Sequence, residues 1–436
     1  MVSKGKHRRG NLPIEGSLVL TATLCLLAFG VVMVFSASST TSLLGESADG
    51  AYYLKRTVLF GVVGLLILRV LSLRGVAIVS RLTAPLLAIS FVLLLVVLIP
   101  GVGVEVNGAS RWIGAGFFQV QPSEIAKLAL VLYGAQLLAT RPKMVRSVGT
   151  LAPFLAAIGL ACLLVVVEPD LGTAMVLCLT AAAMLVAAGV RTRDLVILGA
   201  ALGVIVMVAI AIEPYRMARL TGFLDPSADP AGAGFQATQA KIALGSGGIF
   251  GVGVGESLQK AFYLPEAHTD MIAAVIGEEL GLAGIAMLAG LFGVFGYAGL
   301  QVARRARDRY TKLLAAGITC LVMIQAVINL FAVLGLAPLT GVPLPFVSYG
   351  NSSMLVLLAG VGLLLNIAAG GRAAGMSPKR SQSGAAKLRA IEGGRSTSSA
   401  AARKRSSSTS GKRRDSRGGN RGTRRSGARS RRRAAR

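Results

Sequence analysis

Long apolar stretches, separated by short polar segments, fill the first 370 residues of the chain. A helix that crosses the ~30 Å hydrocarbon core of a bilayer needs about 20 consecutive, mostly apolar residues. Ten stretches meet that condition, near residues 15–36, 55–72, 82–100, 123–139, 150–168, 170–189, 194–212, 271–299, 313–335 and 346–369. The pattern predicts an all-α polytopic membrane protein with ten transmembrane helices. The first stretch is too long for a signal-peptide core, and we interpret it as a retained helix.

Basic residues fall in alternate loops, which sets the orientation, because short cytoplasmic loops are enriched in Lys and Arg. The basic loops carry Arg74 and Arg81, Arg141 to Arg146, Arg191 and Arg193, and Arg304 to Lys312, whereas Lys55, Arg56 and Arg111 are exceptions. Both termini are therefore expected in the cytoplasm. Outer loops are predicted at 101–122, 213–270 and 336–345. The longest of them, 213–270, lies between helices 7 and 8.

Positive charge is concentrated at the C-terminus of this chain, whose formal net charge is +27. Residues 371–436 hold 21 of the 46 Lys and Arg but only 2 of the 19 acids. We predict a basic cytoplasmic N-terminus (1–14), a ten-helix membrane domain (15–370) and a disordered basic cytoplasmic tail (371–436), which is too polar to fold. Anionic lipid or an acidic partner would attract this tail, and an extension without a specific ligand is equally consistent. Nucleic acid is disfavoured, because no aromatic residues alternate with the arginines.

The segment Tyr263–Asp270 (YLPEAHTD) concentrates ionisable groups directly before an apolar run. In a helical turn Glu266 and Asp270 share one face, where burial and a like charge raise the pKa of a carboxyl group. A general base for a sugar hydroxyl needs such a pKa. The alternative is that these acids cap the helix and compensate its dipole. His268 has no second histidine nearby and the four cysteines lie in predicted helices without CxxC spacing, so no metal site or disulfide framework is predicted.

Other acids and bases are predicted within or beside the bilayer, where ionisable groups tend to mark function. Glu124 and Lys127 are spaced for an ion pair on one helical face, which either fixes helix packing or lines a polar cavity. Asp170 follows a tight turn and either caps the next helix or faces the same cavity. Glu278 and Glu279 lie further inside, where we expect pairing with a basic group.

Basic residues at the start of the long outer loop contradict the positive-inside bias. Arg216 and Arg219 would hold an anionic ligand near the headgroups, or pair with lipid phosphate. Lys241 adds a further donor downstream. The glycine-rich stretch 245–255 either presents backbone amides to a phosphate or forms flexible re-entrant backbone.

Several of these segments together resemble the SEDS family of membrane proteins. The matching segments are NGASRWI (107–113), QPSE (121–124) with Lys127, EPDLGT (168–173), TGFLDP (221–226), YLPEAHTD (263–270) with GEELG (277–281), and PLPFVSYG (343–350). The resemblance covers about residues 15–370 in order, and the form PEAHTD is more similar to the cell-division branch than to the elongation branch. Two departures are Phe262, where some division-branch members carry an acid, and Asn351, which replaces a common glycine.

The resemblance implies a peptidoglycan glycosyltransferase that polymerises lipid II at the outer face of the bacterial plasma membrane, during septal wall synthesis and cell division. It implies a class B penicillin-binding protein as the crosslinking partner, together with other divisome proteins. It also implies that Asp270 is the catalytic residue and that Glu124, Lys127 and Asp170 line a central cavity.

The mechanism that follows is a hypothesis of inverting glycosyl transfer. Asp270 would take the proton from the 4-hydroxyl of the acceptor GlcNAc, whose oxygen attacks C1 of the donor MurNAc and expels undecaprenyl pyrophosphate. Preorganised cations would offset the growing charge on the pyrophosphate. The residues expected to bind substrate are Arg216, Arg219, Lys241 and Arg111, with Glu266 and His268 in support. A divalent cation (Mg or Mn) could assist, although the sequence shows no set of metal ligands.

Two other functions compete with this one. A lipid II flippase would use buried charges such as Glu124 and Lys127 along its path, but the polar groups cluster on the outer side rather than at the midplane. A division scaffold would recruit partners through the basic tail.

Overall fold

The computed structural model describes residues 12–44, 49–106, 109–116, 118–225, 232, 234–260 and 263–372. Phe262 and nearly all of the predicted tail lie outside the described residues. The helices are α1 (Ile14–Leu44), α2 (Tyr52–Val97), α3 (Pro122–Thr140), α4 (Ala152–Val167), α5 (Leu171–Ala188), α6 (Thr192–Ile212), α7 (Pro214–Leu224), α8 (Phe235–Gly247), α9 (Ile272–Arg305), α10 (Arg309–Val333) and α11 (Asn351–Ala368). Short 3-10 turns at Pro142–Arg146 and Val148–Leu151 join α3 to α4.

Eight of the described helices are long and apolar enough to cross a membrane. Helix α2 alone has 46 residues, so a straight α2 would be about 69 Å long at about 1.5 Å per residue. Both of its ends nevertheless meet the same small sheet. Arg56 donates to the Gly116 carbonyl, and a Cβ on Gly103 would lie 2.5 Å from the Val97 carbonyl oxygen. We infer that the chain turns back within α2, although the count of ten crossings stays a prediction.

One asparagine marks the point where α2 turns back. A regular helix would join the Val76 amide to the Ser72 carbonyl. The Asn366 side chain of α11 accepts from the Val76 amide (3.4 Å) and donates to the Ser72 carbonyl (2.8 Å). A side chain from another helix therefore bridges these two backbone groups.

The outer loop predicted at 101–122 is a three-stranded antiparallel sheet, so the all-α prediction is incomplete. Its strands are β1 (Gly103–Val106), β2 (Ala109–Ala115) and β3 (Phe118–Val120), in the order β1-β2-β3. Strand β2 pairs Val104 with Trp112 on one side and Ile113 with Val120 on the other. The sheet contacts α2 near the start of that helix, where the rings of Phe60 and Phe118 are in edge contact.

Helices α1, α9, α10 and α11 form the centre of the described membrane domain, with α3 and α5 packed against α10. Helix α6 is peripheral, because none of its residues is buried. Apolar side chains that face outward are expected where lipid is the solvent. The four cysteines lie in helices and none forms a disulfide, but Cys25 is exposed rather than in the core.

The region 213–270, predicted as the long outer loop, contains the helices α7 and α8. After α8 the chain inserts into a break in α9 at Gly281, whose φ of 64° is left-handed. The Leu282 and Ala283 amides donate to the Gly248 and Ile249 carbonyls (3.0 and 3.1 Å) instead of to their own helix. This re-entrant segment, residues 248–260, leads directly to the YLPEAHTD motif.

Candidate active site

Asp270 lies two residues before α9, and its backbone is fixed from two other elements. The Asn329 side chain of α10 donates to the Asp270 carbonyl (2.7 Å) and to the Val342 carbonyl (2.9 Å). The Tyr349 amide, just before α11, donates to the His268 carbonyl (2.9 Å). Asn329 is 2% exposed, so these bonds are protected from water. The three connections hold the end of the motif against the core of the helix bundle.

The Asp270 carboxyl group shares its surroundings with a second acid and a cation. Burial raises its pKa to about 6, the negative charge of Glu266 adds to the increase, and the Arg219 guanidinium opposes it. The Thr269 hydroxyl lies 2.8 Å from a Glu266 carboxylate oxygen and 3.3 Å from one of Asp270. A carboxyl group with a pKa near 6 is mostly ionised at neutral pH and basic enough to accept a proton.

His268 belongs to an aromatic cluster beside Asp270. Its ring centroid lies 4.3 Å from that of Tyr53, at the start of α2, and 5.7 Å from that of Tyr349. Burial lowers the pKa of His268 while the charge of Glu266 raises it, and burial is the larger effect. The imidazole is therefore mainly neutral at pH 7, so it packs against the two tyrosine rings rather than supplying positive charge.

A cavity of about 50 Å³ lies between α7, α8 and the segment after α10. Asp270 does not line it, but the Arg219 guanidinium, which does, is close enough to lower the Asp270 pKa. Arg219, Lys241 and Gln236 line it with nitrogen donors. Arg219 also donates to the Leu339 carbonyl (3.2 Å), and Gln236 donates to the Pro265 carbonyl of the YLPEAHTD motif (3.3 Å). Two cationic side chains and an amide in a concave site suit an anionic group.

Two of the four cations predicted to bind substrate do not line that cavity, and neither do Glu266 and His268. Arg216 donates to the carbonyls of Ala209 (3.1 Å) and Val166 (3.0 Å), near the ends of α6 and α4. Arg111, on β2, donates to the carbonyls of Glu168 and Pro169 in the turn between α4 and α5. Both guanidinium groups therefore hold backbone segments around the site.

The predicted central cavity residues do not line the cavity of Arg219 and Lys241. Glu124 and Lys127 of α3 are 2% and 1% exposed and form an ion pair of 2.7 Å. Lys127 also donates to Gln325 of α10 (3.1 Å) and borders a cavity of about 10 Å³ between α3, α4 and α5. Asp170 caps α5 by accepting from the Thr173 amide (2.9 Å). The two alternatives for these residues, structural and functional, thus both remain consistent.

Glu168 is a buried acid that the sequence analysis did not select. It is 1% exposed, and neither carboxyl oxygen has a hydrogen-bond partner among the described residues. Burial raises its pKa to about 8, Asp170 adds to the increase, and Arg111 opposes it. Glu168 is therefore mainly protonated at neutral pH. Its position next to a proline in the turn had suggested only a connection between helices.

The glycine-rich stretch 245–255 comprises the end of α8 and the segment that follows it. The Val252 and Gly253 amides donate to the carbonyls of Glu278 and Glu279, both at 3.0 Å. These amides are therefore engaged within the protein and do not face a phosphate. Glu279 does pair with a basic group, Lys260, as predicted (2.9 Å), whereas Glu278 accepts from Ser257 and backbone amides.

No cluster of three or more His, Cys, Asp or Glu side chains in the described part of the chain could hold a metal ion. Asp270 and Glu266 are the two acids of the site, and the groups opposite them are cations. A contribution from Mg or Mn stays a prediction.

Comparison with known proteins decides the family. The profile of the cell cycle proteins FtsW, RodA and SpoVE matches residues 17–372. The chain belongs to this family. SEDS membership thus covers all the described helices, from α1 to α11, and the site around Asp270.

Relatives of this SEDS protein include the probable peptidoglycan glycosyltransferase FtsW of Trichlorobacter lovleyi, 42% identical over 83% of this chain and 95% of the relative. The stage V sporulation protein E of Bacillus subtilis is 40% identical over 80% of this chain and 96% of its own length.

Solved structures support the same fold. A chain of a peptidoglycan synthase complex, studied for the coordination of polymerization and crosslinking, has a TM-score of 0.66 and 29% identity, covering 81% of this chain and 97% of that one. The rod shape determining protein RodA of Thermus thermophilus has a TM-score of 0.58 and 27% identity, covering 80% of this chain and 95% of RodA.

Proposed function

We propose that this SEDS protein polymerises lipid II into glycan strands at the outer face of the plasma membrane, during septal wall synthesis. The observation that carries the proposal is the proximity of Asp270, a carboxyl group with a pKa near 6, to Arg219, which lines a cavity together with Lys241. The relatives named as probable peptidoglycan glycosyltransferases supply the substrate class.

The proposed reaction needs a general base for the acceptor hydroxyl and positive charge beside the leaving group. Asp270 accepts the proton of the GlcNAc 4-hydroxyl on the acceptor as that oxygen attacks C1 of the donor MurNAc with inversion. The bond from C1 to the pyrophosphate oxygen breaks, and undecaprenyl pyrophosphate leaves with the bonding electrons. Arg219 and Lys241, with Gln236 as a neutral donor, stabilise the charge that grows on this leaving group.

The remaining predicted residues take supporting parts in this proposal. Arg216 and Arg111 hold the surrounding backbone and add positive potential at the rim of the site. Glu266 keeps the Asp270 pKa high, and His268 packs the motif against Tyr53. A general base contributes roughly 10²- to 10⁴-fold to such reactions, so positioned cations must supply much of the remainder.

The partners and the location extend this proposal. The similar synthase complex joins polymerization to crosslinking, which supports a class B penicillin-binding protein as the partner here, along with other divisome proteins. We place the chain at the division septum with both termini in the cytoplasm. The basic tail would bind anionic lipid or an acidic partner.

The direct experiment is lipid II polymerisation by the purified protein with and without a candidate penicillin-binding partner. Asp270→Asn keeps the shape and removes the base, so glycan synthesis should fall at least 100-fold. Asp308→Asn is the matched control, since Asp308 caps α10 by accepting from the Thr311 amide (2.9 Å) and Asn serves equally well as a cap. Polymerisation by Asp270→Asn near the wild-type rate would refute the assignment.

Lipid II translocation is the second candidate, favoured by the buried Glu124–Lys127 pair and its small internal cavity. A vesicle assay for movement of lipid II, run beside the polymerisation assay, separates the two functions. Translocation predicts that Lys127→Met stops movement while Asp270→Asn does not. The scaffold alternative predicts that removal of residues 371–436 harms division more than Asp270→Asn does.

A further inference from the structure

Two adjacent acids inside α9, Glu278 and Glu279, have no part in the proposed reaction. They are 3% and 0% exposed and lie within the helix that begins directly after Asp270. Ionised groups at membrane depth are costly and need compensating partners. In this structure both sets of partners come largely from the re-entrant segment 248–260.

The Glu279 carboxylate joins three parts of the chain. It lies 2.9 Å from the Lys260 ammonium and accepts from the Ser36 hydroxyl of α1 at 2.7 and 2.8 Å. Lys260 also donates to the Gly255 carbonyl (2.6 Å), which closes a turn of the segment. Lys260 and Ser36 are 5% and 6% exposed, so this ion pair is screened little by water.

The Glu278 carboxylate binds the turn immediately before Lys260. It accepts from the Ser257 hydroxyl and from the Leu258 amide (3.0 Å), and the Ser257 oxygen in turn accepts from the Lys260 amide (3.3 Å). Together with the Val252 and Gly253 amides on the carbonyls of these two glutamates, main chain and side chains hold the segment at the same point of α9.

This point of attachment is close to the proposed base along the chain. Asp270 follows Lys260 by ten positions in the chain, and the Leu264 amide donates to the Gln259 carbonyl (2.8 Å). Asn329 fixes the other end at the Asp270 carbonyl. A short chain with both ends fixed transmits a displacement of one end to the other.

We propose that Lys260, Glu278 and Glu279 are positioning residues that set the geometry of Asp270. This inference rests on the proposed function, since it takes Asp270 as the base. A misplacement of roughly 1 Å can cost about 100-fold in rate. We call the contacts of Lys260, Glu278 and Glu279 with the segment 248–260 the clamp. Loss of the clamp should therefore reduce turnover, while the cavity lined by Arg219 and Lys241 stays intact.

The test compares variants of the purified protein with its penicillin-binding partner. Lys260→Met and Glu279→Gln should each lower kcat at least tenfold, with KM for lipid II changed less than threefold. The acid limb of the pH profile should move to lower pH, because a displaced Asp270 is more hydrated. Lys260→Arg keeps the cation and should recover most of kcat. The double variant Lys260→Met/Glu279→Gln should lose no more than the worse single variant, because the unpaired charge is removed.

A second ion pair provides the matched control. Arg305 pairs with Glu15 at the far end of α9, and the Arg305 side chain is 69% exposed, so Arg305→Gln should leave kcat and the pH profile unchanged. If Lys260→Met fails to fold, Ser36→Ala removes a single hydroxyl from the clamp and should still lower kcat severalfold.

A wild-type kcat together with an unmoved acid limb in Ser36→Ala, Lys260→Met or Glu279→Gln would refute the proposed role of the clamp. A loss of activity explained wholly by the folded fraction, with kcat per folded molecule unchanged, would overturn it too. Failure of the proposed function looks different, since Asp270→Asn would then remain active whatever the clamp variants show.

Discussion

Asp270→Asn should make the protein more stable at neutral pH while it abolishes activity. Burial raises the Asp270 pKa from 3.8, the ordinary value, to about 6. The folded protein therefore holds this proton more tightly than the unfolded chain does. Stability from this group is fully present below about pH 4 and is lost as the pH rises to about 6, above which the cost is constant.

The magnitude follows from the same pKa difference. Each pKa unit corresponds to about 1.4 kcal/mol, so ionising Asp270 at pH 7 costs up to about 3 kcal/mol of folding free energy. Water at the part-exposed carboxyl group reduces this figure. Asn cannot ionise, so the variant avoids the cost and should gain part of that amount at pH 7 and almost nothing at pH 4.

Thermal unfolding in detergent, followed at pH 4.5, 6 and 7.5, measures the difference between wild type and Asp270→Asn. The advantage of the variant should increase from pH 4.5 to 6 and then level off. In parallel, the rate of polymerisation by the wild type should fall as the pH is lowered, with a midpoint near pH 6, and should reach about a tenth of its plateau at pH 5. A stability difference that does not change with pH, or a midpoint near pH 4, would contradict the argument.

Three further changes test the surroundings of the base and the break in α9. Glu266→Gln removes a negative neighbour, so the Asp270 pKa should fall and the acid limb of polymerisation should move to lower pH. Arg219→Gln removes the opposing cation, so the acid limb should move to higher pH. In this variant kcat should also fall at least tenfold, because the cation that stabilises the pyrophosphate is lost. Acid limbs that move in the reverse directions in these two variants would contradict the electrostatic account. Gly281→Ala places a Cβ 2.5 Å from neighbouring backbone atoms at a φ of 64° and should destabilise the protein by about 2 kcal/mol or more in thermal unfolding, whereas Gly290→Ala, in open space on the same helix, should be nearly neutral.

The helices of this fold were largely predictable because lipid imposes a simple rule on composition and length. The rule did not reveal that residues 52–97 form one continuous helical run with a turn inside it. The group that bridges the Val76 amide and the Ser72 carbonyl, Asn366, is 290 residues from Val76 along the chain. Local pattern cannot show such a partner. The sheet at 103–120 was missed for a related reason, since its strands are short and pair only with one another.

The candidate site was partly predictable because ionisable residues are rare beside long apolar stretches. Asp270 and Glu266 stand out as acids beside such a stretch, and Arg219 stands out as a basic residue on the predicted outer side. Arg216 looked equivalent to Arg219, but a spacing of three residues on α7 does not decide which of two guanidinium groups lines the cavity. Asn329 did leave a signal, as a polar side chain deep within an apolar stretch.

The arrangement around Asp270 follows from what a bilayer cannot supply. A helix broken in lipid leaves amide and carbonyl groups that only protein can satisfy, and at Gly281 the re-entrant segment satisfies them. That segment brings Lys260 to Glu279, and the chain beyond it must return to the start of α9 within ten residues. The position of the proposed base therefore depends on the segment that satisfies the backbone groups at the break in α9, and not on a loop without such contacts. This explains why charged residues with no contact to substrate should control turnover as strongly as those in the cavity.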